Sequence, residues 1–153
     1  MSNRQFIFLL FGILLAGFGL RIWGAYFGLP HVYNTDEVFE VARAVRLGML
    51  DFDFDRIAKG GYYYFLFGLY GVYFVVGWLL GTFDSVAAFA DHYIQQPSAF
   101  WAIGRTSTVL IGTATIALVA FFTQRRYGRL AAVAASLFIA FSYRHVVDSH
   151  YIT

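Results

Sequence analysis

Three carboxylates, Asp36, Glu37 and Glu40, stand within five positions of one another in the stretch HVYNTDEVFE. A carboxylate at the rim of a cavity can take a proton from an acceptor hydroxyl or amine and so raise its nucleophilicity. The same residues also suit a plainer task. Asn34 or Thr35 can cap a helix, which puts Asp36 and Glu37 in its first turn, where negative charge complements the helix dipole. Asn34 with Glu37 three positions later resembles a capping box with Asn in place of Ser or Thr. Both readings predict a helix over residues 35–49. On it Val38, Val41, Val45 and Met49 recur at helical spacing, with Glu40, Arg43 and Arg46 mostly off that face. Such a helix lies on a bilayer surface.

The acids are set in a greasy chain. Of its 153 residues, 59% are hydrophobic, 21% aromatic and 13% charged, against about 25% charged in soluble domains. An all-α integral membrane protein is expected, with three to four transmembrane helices and a juxtamembrane amphipathic helix in the first outer loop. A net charge of +2 gives no reason to expect nucleic acid as a partner. With no cysteine, disulfides and cysteine-based metal sites are excluded.

Residues 6–27 (FIFLLFGILLAGFGLRIWGAYF) exceed the roughly 20 apolar residues needed to cross the hydrocarbon. Without a convincing cleavage site they read as a retained signal anchor. Arg21 lies close to the outer end of this span and is expected to snorkel to the interface. Three more apolar stretches follow, at 62–81, 100–123 and 130–146. The turn QRRYGR holds three arginines and no acid, which assigns it to the cytoplasm. Residues 83–99 hold Asp84 and Asp91 and no Lys or Arg, which suits the outside. If the amino terminus is inside and Asp36 outside, an odd number of crossings must separate Asp36 from that turn. Two apolar stretches intervene, so one should not cross. The stretch 62–81, crowded with tyrosines and glycines, is the candidate for a juxtamembrane path, since Tyr favours the interface and such glycines are tolerated where a segment packs on protein. Four plain crossings remain the rival topology.

Two further motifs carry weaker chemistry. DFDFD, residues 51–55, mimics the start of a calcium loop, but Arg56 stands where Gly is required and Tyr62 where the final acid belongs. HVVDSH places His145, Asp148 and His150 close together, too few ligands to specify a metal. No cofactor is expected, and a divalent cation is left open. Small residues at Gly104, Thr106, Ser107, Gly112, Thr113 and Thr115 permit close helix packing.

The order of these elements resembles the amino-terminal part of the C-type superfamily of membrane glycosyltransferases, in the branch of protein O-mannosyltransferases and lipid-A aminoarabinose transferases. The resemblance runs through YNTDEVFEVARAVRLG, GGYYYFLFGLYGVYF, GRTSTVLIGTATIALVAFF, QRRYGR and FSYRHVVDSHYIT, in that order. It implies a hexosyl- or pentosyltransferase of the cell membrane, multi-pass, whose active face is extracytoplasmic. The donor would be a sugar on a polyprenyl-phosphate carrier, and the acceptor a glycan, lipid or protein. Asp36 would be the catalytic base, with Glu37 supporting it or contacting the sugar. Arg56 and Lys59 would bind the donor phosphate, though interfacial snorkelling explains them equally well. Arg105, an intramembrane arginine, is a substrate-binding candidate by default, and Tyr33 and Asp148 join it. The chain departs from the family pattern in carrying Gly60-Gly61 where a proline is common, and in ending at Thr153 where a Pro-Asp usually follows. The expectation is therefore an amino-terminal fragment of a larger enzyme, inactive alone. The alternative is a small non-enzymatic membrane scaffold or assembly protein. A transporter fragment fits less well, since that would favour charges lining several spans at the midplane.

Overall fold

A computed structural model describes residues 1–52 and 61–152. Among them are seven helices and no strand: α1 (Asn3–Trp23), α2 (Thr35–Gly48), α3 (Tyr62–Leu79), α4 (Val86–Gln95), α5 (Ser98–Tyr127), α6 (Arg129–Phe141) and α7 (Tyr143–Asp148). The chain is an all-helical membrane protein, in which α1, α3 and α5 are long and apolar enough to cross a bilayer. It divides into two compact units, residues 1–27 with 105–151 and residues 28–104 with 152–153.

The first unit is an up-down-up bundle of α1, the greater part of α5, and α6 with α7. Ser2 opens α1 with a full capping box: its side chain accepts the Gln5 N–H, and Gln5 returns to the Ser2 N–H. Gly17 sits where a Cβ would overlap Ile116, and Ile13, Ile116 and Ala140 form the buried core. Gly17 of α1 thus lies against Ile116 of α5, and Arg21 against Gly112, so these helices run antiparallel. Between α5 and α6 only Gly128 intervenes. Its φ of +86° is a conformation that glycine adopts without penalty. Arg129 then donates to the Met1 carbonyl at 2.8 Å and to Asn3 Oδ1. This brings the amino terminus and the α5–α6 turn to one end of the bundle.

At the opposite end the chain passes three times through one place. Arg105 Nη1 donates to the carbonyls of Ala25 (3.1 Å) and Phe27 (2.9 Å), Tyr26 Oη bonds Thr106 Oγ1 (2.8 Å), and the Arg105 guanidinium lies 5.8 Å from the centre of the Tyr151 ring. The exit from α1, the third turn of α5 where the chain re-enters this unit, and the stretch after α7 therefore meet at Arg105.

The expected helix over 130–146 is two helices, α6 and α7, broken at Ser142, whose backbone is extended. The cause is Arg21. Rather than snorkelling, it is fully buried within the unit. Its Nη1 donates to the carbonyls of Gly17 (2.8 Å) and Ala140 (3.1 Å), and its Nη2 to that of Ile139 (3.0 Å) and to His145 Nδ1 (2.9 Å). Ile139 and Ala140 belong to the last turn of α6, whose carbonyls have no partner within the helix. Arg21 supplies one, and the chain is free to turn. Because a guanidinium only donates, His145 Nδ1 must accept, which puts the His145 proton on Nε2. His150 closes the end of α1 in the same manner, its Nε2 lying 3.1 Å from the Leu20 carbonyl, with its ring set against Gly24.

The second unit packs α2 on α3, with α4 and the first turns of α5 beside them. Val41, Ala44, Leu47, Tyr63, Leu66, Tyr70, Phe100, Trp101 and Ile152 form its core. Tyr70 donates to the Phe100 carbonyl at 3.2 Å, and its ring meets that of Phe100 edge-on. Residues 83–99 contain α4, which Ser85 caps by accepting the Ala88 N–H at 3.1 Å.

Candidate functional site

The Asp36-Glu37 pair opens α2 in the second unit. Asn34 is the N-cap, its side chain accepting the Asp36 N–H at 3.0 Å. Consecutive helical residues point about 100° apart, so two adjacent acids cannot share one face. Glu37 turns inward and is fully buried, while Asp36 stays partly exposed. Glu37 Oε1 accepts the main-chain N–H of Ile152 at 2.9 Å. One turn on, the nearly buried Glu40 accepts from Arg43 Nη1 at 3.3 Å.

The inward face of α2 shares only part of the valine stripe. It is built from Glu37, Glu40, Val41, Ala44 and Leu47, whereas Val38 and Met49 are exposed. Packing on α3 and the reach of Glu37 to Ile152 set this rotation. The alternation of valines does not. Burying a carboxylate is tolerable only where it is hydrogen-bonded, a condition that Glu37 meets through Ile152 and Glu40 meets at Oε1 through Arg43.

No family model, curated protein or solved structure matches the chain.

Tyr33 lies just ahead of the pair and is largely exposed, its ring lying where a side chain on Gly28 would otherwise stand. Arg56 and Lys59 lie outside the described residues. Arg105 and Asp148 belong to the first unit. Arg105 is buried and holds the α1 exit as described. Asp148 is exposed and pairs with Arg144 at 2.9 Å. Of the candidates, then, Asp36, Glu37 and Tyr33 sit together on one helix start. The described residues hold no group of three or more His, Asp or Glu placed to bind a metal ion. In HVVDSH the two histidines face helix ends: His145 receives Arg21 and His150 closes α1.

A cavity of about 290 Å³ lies within the second unit between α2, α3, α4 and Phe100 of α5. Its wall includes Leu47, Met49, Phe67, Tyr70, Phe89 and Tyr93. The Tyr70 hydroxyl is turned to the Phe100 carbonyl, so this wall offers hydrocarbon to whatever enters. Tyr93 stacks on Trp101 with ring centres 6.0 Å apart, and burial pushes its phenol above its ordinary pKa. The buried role of Arg21 is the residue function that composition and spacing miss. Its only sequence signal is a charge inside a span.

Proposed function

We propose that the chain contributes the outward-facing acidic site of a membrane glycosyltransferase. In this reading a sugar passes from a polyprenyl-phosphate carrier to an acceptor hydroxyl or amine at the extracytoplasmic face. The observation that carries it is the division of labour in the Asp36-Glu37 pair. Glu37 turns inward to Ile152, and Asp36 stays partly exposed at the start of α2. A carboxylate so placed can take the acceptor proton as the acceptor atom bonds to the anomeric carbon. The bond from that carbon to the carrier phosphate breaks on the opposite face, and the phosphate leaves with the electron pair. The apolar cavity beside α2 is consistent with a donor that carries hydrocarbon.

Topology supports the same orientation. Phe27 and Arg105 meet at one end of the bundle, so the chain between them crosses the bilayer an even number of times. Its described residues hold one helix long and apolar enough to cross, α3. We therefore read α3 as lying in or on the outer leaflet, with α1, α5 and α6–α7 as the crossings. The arginines of the α5–α6 turn then face the cytoplasm.

The test is transfer from a polyprenyl-phosphate sugar by membranes containing the protein in its natural context. Asp36→Asn should keep the fold and abolish turnover. Near-normal turnover in that variant would sink the assignment. One observation favours the non-enzymatic scaffold instead: Glu37, Arg105 and Asp148 all make structural contacts. Under that reading Asp36 is a helix-start charge, and its replacement changes only stability.

A further inference from the structure

We propose that the end of the first unit formed by the amino terminus and the α5–α6 turn is a docking surface for anionic phospholipid headgroups. This rests on the charge and packing of that end and is independent of the sugar-transfer reading.

Two distant stretches of chain build the surface. The bonds from Arg129 to Met1 and Asn3 hold them together. Arg4, Arg125 and Arg126 are exposed around this junction. The first unit contains a single acid, Asp148, and it lies in α7, toward the Arg105 end, paired with Arg144. No carboxylate of this unit therefore offsets the arginines, and their field attracts phosphate diesters.

The immediate neighbours decide what kind of phosphate. Arg125 lies over the Phe121 ring, 4.1 Å from its centre, and Phe122, Tyr127 and Leu130 are exposed beside the turn. An open hollow at the same end is lined by Met1, Arg4, Gln5, Phe8 and Leu9. After Met1 come the polar Arg4 and Gln5, and one turn deeper the apolar Phe8 and Leu9, the order of a headgroup and the start of its hydrocarbon. A free anion would satisfy only the arginines. A phospholipid satisfies both layers.

The experiment reconstitutes the full chain in phosphatidylcholine bilayers and adds trace spin-labelled phosphatidylglycerol or phosphatidylcholine. The motionally restricted fraction gives the relative association constant of each lipid. Phosphatidylglycerol should be preferred, and the preference should fall by up to roughly fivefold for each arginine removed in Arg125→Gln and Arg126→Gln. It should weaken with salt and survive both inorganic phosphate and Arg144→Gln at the opposite end. Arg4→Gln, at an exposed position on another helix, gives the same direction should the turn variants fail to fold. Equal association of the two lipids, or a preference unmoved by these substitutions, overturns the proposal. Full competition by inorganic phosphate does so as well, since it marks a site for soluble anions.

Discussion

Glu37 Oε1 accepts the main-chain N–H of Ile152 at 2.9 Å across 115 positions of the chain. This bond ties the start of α2 to the last described residue and buries both groups. Hydrogen bonds to charged groups contribute about 1.5–3 kcal/mol. Glu37→Ala should cost the second unit about that much. Glu37→Gln, which keeps an acceptor oxygen, should cost less. Thermal unfolding in detergent, followed by tryptophan fluorescence, compares the two, with Trp101 reporting from the core of this unit. Equal losses would mean that side-chain packing, and not the bond to Ile152, holds this end.

Arg21 is expected to be the most sensitive position in the first unit. Its guanidinium serves three carbonyls and His145 from two nitrogens. Arg21→Met should destabilise by roughly 3 kcal/mol or more, because the carbonyls of Ile139 and Ala140 are left buried without it. Arg21→Lys should rescue little, since an ammonium lacks the planar fork. The same melts test this, together with protease cleavage near Ser142. A lysine variant as stable as the native chain would contradict the capping role.

The glycines separate into two groups with opposite predictions. A Cβ on Gly104 would overlap the Ile152 side chain, so Gly104→Ala should cost about 1–3 kcal/mol. A Cβ on Gly71 meets nothing within 4 Å, so Gly71→Ala in α3 should gain about 0.5–1 kcal/mol from helix propensity. Melting curves of the two variants should shift in opposite directions.

Much of the architecture is legible in the sequence because it follows from composition and local spacing. The apolar stretches become helices, and the turn expected over QRRYGR narrows to Gly128, which permits a positive φ. Asn34 caps α2 as its side-chain chemistry predicts. The features that escape are those set by distant partners. Nothing local to α2 shows that Glu37 faces inward, since Ile152 lies at the far end of the chain. Of the valine stripe, Val41 lies in the core and Val45 packs against it, while Val38 and Met49 stay exposed. The break at Ser142 is likewise set by Arg21 on another helix. In α4 the signal is local, a Ser cap before an apolar run. The acidic site is partly legible: the sequence marks Asp36 and Glu37, and only the structure separates an inward residue from an accessible one.

The account depends most on the chain leaving and re-entering the bundle at Arg105, with Asp36 and both ends of α3 on one side of the bilayer. The native chain has no cysteine, so single cysteines can be labelled without background. Tyr33, Thr82 and Tyr127 are exposed positions at the α2 entry, the α3 exit and the α5–α6 turn. With a membrane-impermeant maleimide on intact cells, Tyr33→Cys and Thr82→Cys should react. Tyr127→Cys should react only after permeabilisation. If Thr82→Cys is protected outside and reacts only from within, α3 crosses the bilayer, and the outward-facing site proposed for Asp36 loses its topological support.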